Sequence, residues 1–113
     1  MDGLSQESVS YLKEKIAQWT EGGESLRKHA SILGGRNKLK IEFHEDVATK
    51  LPSVCRDINR LGYEKSRKEI LNLVKGKKGT FKLFPSFGTA DVILGGLSDA
   101  CGFRRKGDKI EWW

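Results

Sequence analysis

Lys38-Leu39-Lys40-Ile41-Glu42-Phe43 is the stretch whose reading decides the fold. Leu39, Ile41 and Phe43 alternate with Lys38, Lys40 and Glu42, the period-2 pattern of a strand with one face buried and the other in water. Read this way, the chain acquires a sheet. The outward lysines then join Arg36 in a basic patch, and Gly34-Gly35-Arg36-Asn37 becomes the turn leading in.

Upstream, Ser5 is a good helix N-cap, and Leu4 before it can staple onto Val9. Val9, Leu12, Ile16 and Trp19 make one apolar helical stripe that ends before Gly22-Gly23. A shorter helix is expected from Ser25 to Leu33, with Leu26, Ala30 and Leu33 inward and Gly34-Gly35 as its stop. His29, between Lys28 and Ala30, reads as a surface or boundary residue rather than a ligand.

Downstream, Val47, Leu51, Val54, Ile58 and Leu61 keep to one helical face, but Pro52 punctures it. Proline suits the first turn of a helix and costs ~3 kcal/mol inside one. A turn through Val47–Lys50 is therefore expected, followed by a helix from about Pro52 to Gly62, with Tyr63 packed against the glycine stop. Ser66-Arg67-Lys68-Glu69 is a capping box that predicts a helix through Val74. Ile70 to Val74 would also serve as a strand, hairpinned through Lys75–Gly79 onto Phe81–Phe84, and the box favours the helix.

The last third reads as a strand from Thr80 to Phe84 closed by Pro85, then a helix from Ala90 to Cys101 capped by Thr89. Ile93, Leu97 and Ala100/Cys101 face inward. Gly95-Gly96 in its middle each cost up to ~1 kcal/mol against alanine, so the pair signals a close backbone approach or a broken helix. Gly102 stops it and Phe103 packs back on it. Gly107-Asp108 then turns a hairpin between Arg104–Lys106 and Lys109–Trp113.

These elements predict an α+β fold: a small, three- to four-stranded, mostly antiparallel sheet covered by about five helices. The helix and basic hairpin of the last quarter resemble the helix-and-wing end of a winged helix-turn-helix domain, a likeness of pattern that does not fix function. At 113 residues the expectation is one domain, 1–113, with an acidic N-terminal helix (1–23) packed on a basic α+β body (24–113).

The net charge is +6 and 32% of residues are charged, a balance that favours an anionic partner. It is uneven. Through Ser25 five carboxylates (Asp2, Glu7, Glu14, Glu21, Glu24) outweigh Lys13 and Lys15, which leaves +9 for the rest. Cys55 and Cys101 sit in apolar patterns and read as two reduced core thiols. No signal-peptide core, apolar run of membrane-spanning length or glycosylation acceptor is visible. The chain is expected to be intracellular, nuclear or cytoplasmic, with no membrane partner.

No catalytic signature emerges. The two histidines fall in different elements without metal-ligand spacing, so neither metal nor cofactor is expected. His44-Glu45-Asp46 reads as an acidic helix start. Gly76-Lys77-Lys78-Gly79-Thr80 has the composition of a phosphate loop, but its lysines precede the second glycine and a strand follows.

The expected function is non-enzymatic nucleic-acid binding, to RNA or DNA, through three basic patches that neutralise phosphates. They are Arg36/Lys38/Lys40, Lys75/Lys77/Lys78/Lys82 and Arg104/Arg105/Lys106/Lys109, with Trp113 available to stack on a base. The alternative is a protein-interaction module using the N-terminal helix or the tryptophan-bearing edge. What discriminates the two is whether the patches share a face.

Overall fold

The computed structural model describes residues 3–31, 33–80, 82–84, 87–106 and 109–112, with the backbone alone at 82–84, 87, 105, 109, 110 and 112. Helix α1 (Gln6–Trp19) starts as its sequence dictates, with Ser5 Oγ accepting the Ser8 N–H at 3.3 Å. Its stripe of Leu12, Ile16 and Trp19 is buried, together with Tyr11. The apolar stripe of the N-terminal helix therefore faces the core.

The segment that decides the fold is a helix. α2 runs Gly35–Glu45, after Gly34 in the left-handed region at φ 85°. Leu39 and Phe43 are fully buried one turn apart, whereas Ile41 is 64% exposed. A strand would have buried all three. Alternation over six residues fits either period, and a helix that selects Leu39 and Phe43 satisfies it by leaving Ile41 in water. The helix expected from Ser25 to Leu33 shrinks to a 3-10 turn over Leu26–Lys28, with Leu33 90% exposed. Gly34-Gly35 opens α2 and does not close an earlier helix.

α3 (Leu51–Leu61) carries Pro52 in its first turn and ends at Gly62, and α4 (Tyr63–Val74) follows at once. The helical alternative for Ile70–Val74 is correct, but Ser66 is not its cap. Ser66 is buried one turn in, and its hydroxyl donates to Gly62 O at 2.7 Å. Two short strands, β1 (Lys82–Phe84) and β2 (Phe87–Gly88), pair antiparallel before α5 (Thr89–Cys101). The N-cap of α5 is Gly88, not Thr89, and the Asp91 carboxylate accepts the Gly88 N–H at 2.9 Å. A hairpin of β3 (Phe103–Lys106) and β4 (Lys109–Trp112) closes the described chain, with Phe103 buried. The predicted closing residue Pro85 and the Gly107-Asp108 turn lie outside the described residues.

The α+β expectation is thus overturned. The described strands form two separate two-stranded ladders, not a three- or four-stranded sheet, and the core is built by helices. α2 packs most extensively on α5. Gly96 permits this approach, because a Cβ there would lie 2.7 Å from Leu39 Cβ and 3.3 Å from Lys40 N. Of the two meanings open to Gly95-Gly96, close approach is the one realised.

Buried polar groups pin the remaining helices. Arg67 Nε donates to both Asp91 oxygens at 3.0 and 3.1 Å, and the Tyr63 hydroxyl donates to Asp91 Oδ1 at 3.0 Å, tying α4 to the start of α5. Asp57 of α3 accepts the Ser5 N–H and the Ser5 and Ser8 hydroxyls on one oxygen, while Arg60 pairs with the other. Burial pushes the Asp57 carboxyl up, but these donors outweigh it and hold the group at about 2. Cys55 and Cys101 are not free thiols: they form a disulfide joining α3 to the end of α5, with Cα atoms 5.8 Å apart. Closing a loop of that length contributes roughly 4 kcal/mol in the chain-entropy picture. Apolar neighbours and wide separation in sequence gave no sign of that pairing.

Two outcomes follow from this packing. Gly96→Ala forces Leu39 or the α2 backbone to move, and should lower urea stability by ~1–3 kcal/mol despite alanine's better helix propensity. Gly95→Ala meets the flexible Arg36 side chain at 3.0 Å and should be at least ~1 kcal/mol milder. The Asp57 carboxyl, ordinary near 3.8 and held at about 2 when folded, stabilises the fold above pH 4 and loses that effect as pH falls through 2. Wild type should lose ~1 kcal/mol more than Asp57→Asn between pH 7 and pH 3, read from urea midpoints; equal losses would remove Asp57 from the account.

Candidate nucleic-acid interface

The second basic patch is an ordered turn. Lys77 N–H donates to Val74 O at 3.0 Å, and the Thr80 hydroxyl donates to Lys77 O at 2.8 Å and Val74 O at 3.1 Å. Gly79, at φ 87°, lets the chain press against Leu26, where a Cβ would lie 2.8 Å from Leu26 N. The Leu26 N–H donates in return to Lys78 O at 2.7 Å. Lys75, Lys77 and Lys78 project from this turn, all exposed and without an ion-pair partner among the described residues.

That backbone bond delivers the 3-10 turn over Leu26–Lys28 to the lysine turn, with Leu26 buried as its anchor and Arg27 and Lys28 exposed. Lys38 of α2 closes the other side, its Nζ donating to Lys28 O at 3.2 Å. Arg27, Lys28, Lys38, Lys75, Lys77 and Lys78 thereby belong to one surface drawn from three segments. Its acidic neighbours are few. Glu24 pairs with Lys28 at 2.7 Å, and that hydrogen bond holds its carboxyl below the ordinary value. Glu42 lies 3.7 Å from His29 Nε2. His29 itself is half-buried and stacks on Trp19 at 5.8 Å, and burial pushes its pKa down against the opposing pull of Glu42. Arg27 and Lys28 went unrecognised in the sequence because a backbone bond between residues 26 and 78 has no local signature.

The first patch does not survive intact. Residues two apart on a helix diverge by ~200°, so Lys38 points away from Arg36, whereas Lys40 lies within ~40° of it. Arg36 grips Asp99 of α5 through two hydrogen bonds of 2.8 and 2.9 Å, which raises its pKa against the effect of burial. Lys40 is exposed. The third patch is partly neutralised. Arg104 and Lys106 both reach Glu111, the latter at 3.3 Å, and hold its carboxyl below the ordinary range. No described contact links this hairpin to the other basic residues. The side chains of Lys82, Arg105 and Lys109, and all of Trp113, lie outside the described residues.

Other surfaces offer less. A cavity of about 470 Å³ opens between α1 and the start of α3, where Ser53 donates to Glu7 at 3.0 Å and Lys50 faces Glu14 at 3.4 Å. Beside it the Tyr11 hydroxyl donates to Asp46 at 2.7 Å, and Lys15 pairs with the same carboxylate at 2.9 Å. Burial and that carboxylate push the phenol's pKa up. No group of three His, Cys, Asp or Glu side chains able to hold a metal occurs among the described residues, and no helix of the described chain is long and apolar enough to cross a membrane. Comparison with protein-family models, with curated proteins and with solved structures finds no match.

Proposed function

We propose that the protein binds the phosphate backbone of nucleic acid, without catalysis, through the surface made by Arg27, Lys28, Lys38, Lys75, Lys77 and Lys78. The observation that carries this reading is the pair of hydrogen bonds, Leu26 N–H to Lys78 O and Lys38 Nζ to Lys28 O, that clips three basic segments together. Lys75, Lys77 and Lys78, without an ion-pair partner among the described residues, stand beside Arg27, Lys28 and Lys38, and such a field concentrates a polyanion and releases its counterions on contact. Contacts of this kind position a nucleic acid without reading its sequence. The hairpin of β3 and β4 contributes less on this reading, because Glu111 already occupies Arg104 and Lys106.

A protein contact is the second reading, and a different surface favours it from those expected in the sequence. The apolar stripe of α1 is used by the core, whereas Leu33 and Ile41 are 90% and 64% exposed on and before α2.

Lys77→Glu with Lys78→Glu should weaken binding to short oligonucleotides of two unrelated sequences equally. It should also flatten the slope of log affinity against log salt by about two, and leave the melting curve unchanged. Arg104→Glu should change the slope by less than one. Failure of the wild-type protein to bind either oligonucleotide at low salt would contradict the reading.

A further inference from the structure

α4 carries a second periodicity beneath its apolar one. Tyr63, Ser66, Arg67, Ile70 and Val74 are buried, while Lys65, Lys68, Asn72 and Lys75 are all exposed at intervals of three, four and three. Residues so spaced lie in one row along a helix, here ~15 Å long at 1.5 Å per residue. The row runs without interruption into the Lys77-Lys78 turn. None of its lysines has an ion-pair partner among the described residues. One carboxylate of the helix, Glu69, is turned to the N-terminal segment, where it accepts the Leu4 N–H at 2.9 Å. The other, half-buried Glu64, sits at the end remote from the turn. Like charges aligned on one helix face weaken the free helix by a few tenths of a kcal/mol, so the row is not explained by stability.

We propose that α4 lies along one strand of a double-stranded nucleic acid, with Lys65, Lys68 and Lys75 on phosphates of that strand and Asn72 donating between them. The proposal rests on the phosphate-binding reading of the adjoining turn and extends it to a ligand class. Two observations favour a duplex over a single strand. The row follows the outer face of a helix, where single-strand binders use a groove. It is stiff, because Arg67 and Tyr63 on the opposite face are bonded to Asp91 of α5.

The test is fluorescence anisotropy with a 20-base-pair DNA duplex, an RNA duplex of the same sequence and the corresponding single strands, at several salt concentrations. Wild type, Lys65→Glu/Lys68→Glu, Lys65→Arg/Lys68→Arg and Lys77→Glu/Lys78→Glu are compared, with melting curves as the control for folding. Duplex should bind at least about ten-fold more tightly than single strand at equal salt. Lys65→Glu/Lys68→Glu should weaken duplex binding on the order of ten-fold or more and flatten the salt slope by about two, and the arginine pair should retain binding. Duplex binding unaffected by Lys65→Glu/Lys68→Glu, but weakened by Lys77→Glu/Lys78→Glu, would overturn the α4 row and leave the turn standing. Preference for the single strands would overturn the assignment to duplex. Absence of any binding by wild type at low salt would overturn the underlying reading and this one with it.

Discussion

The contact between α2 and α5 at Gly96 is the constraint on which the other features depend. With no Cβ at residue 96, Leu39 and the backbone at Lys40 come within van der Waals distance of α5. That approach fixes which face of α2 is inward, buries Leu39 and Phe43, and sends Lys38 towards Lys28. It also divides the cations of α2. Arg36 is drawn to Asp99 of α5, while Lys38 is left beside the 3-10 turn. A side chain at residue 96 would separate the helices and, with them, the basic segments they align.

Charges are handled differently inside and outside this frame. Two buried carboxylates are matched: Asp91 by Arg67 and Tyr63, Asp57 by Ser5, Ser8 and Arg60. Removing one partner of such a group would strand the other in a poor solvent for charge, which makes these pairs specific connectors between helices. Outside, Lys75, Lys77 and Lys78 are unmatched. Three neighbouring cations left open give that surface an unmet electrostatic demand.

The helices were legible where a single pattern spoke: Ser5 capping α1, Pro52 opening α3, Gly62 ending it, and Gly95-Gly96 announcing a close approach. They were misread where two periods fit the same residues. Leu39, Ile41 and Phe43 alternate, but Leu39 and Phe43 also sit one helical turn apart, and only the packing against α5 decides that Ile41 stays outside. The disulfide and the clip between Leu26 and Lys78 were illegible for a different reason, since both join residues about fifty positions apart with no local requirement. The basic site was half legible. The Lys75–Lys78 turn was visible as composition, but Arg27 and Lys28 became part of it only through tertiary structure. The lysine row of α4 is present in the sequence as the spacing of residues 65, 68, 72 and 75, beneath the stronger apolar period of the same helix.

Disulfides persist in oxidising compartments and are rare in the cytosol, so the Cys55–Cys101 bridge and the expectation of an intracellular location pull in opposite directions. The surface proposed to bind phosphate is independent of that question, because the hydrogen bonds Leu26 N–H to Lys78 O and Lys38 Nζ to Lys28 O and the α2–α5 contact assemble it. Its central claim is that segments distant in sequence act as one site. Amide chemical shifts followed by NMR during titration with a short nucleic-acid duplex test it most directly. The account predicts that residues 26–28, 38 and 75–79 shift together, with one common affinity and one common salt dependence. Shifts confined to residues 103–106 and 109–112, or segments that saturate at different concentrations, would contradict it.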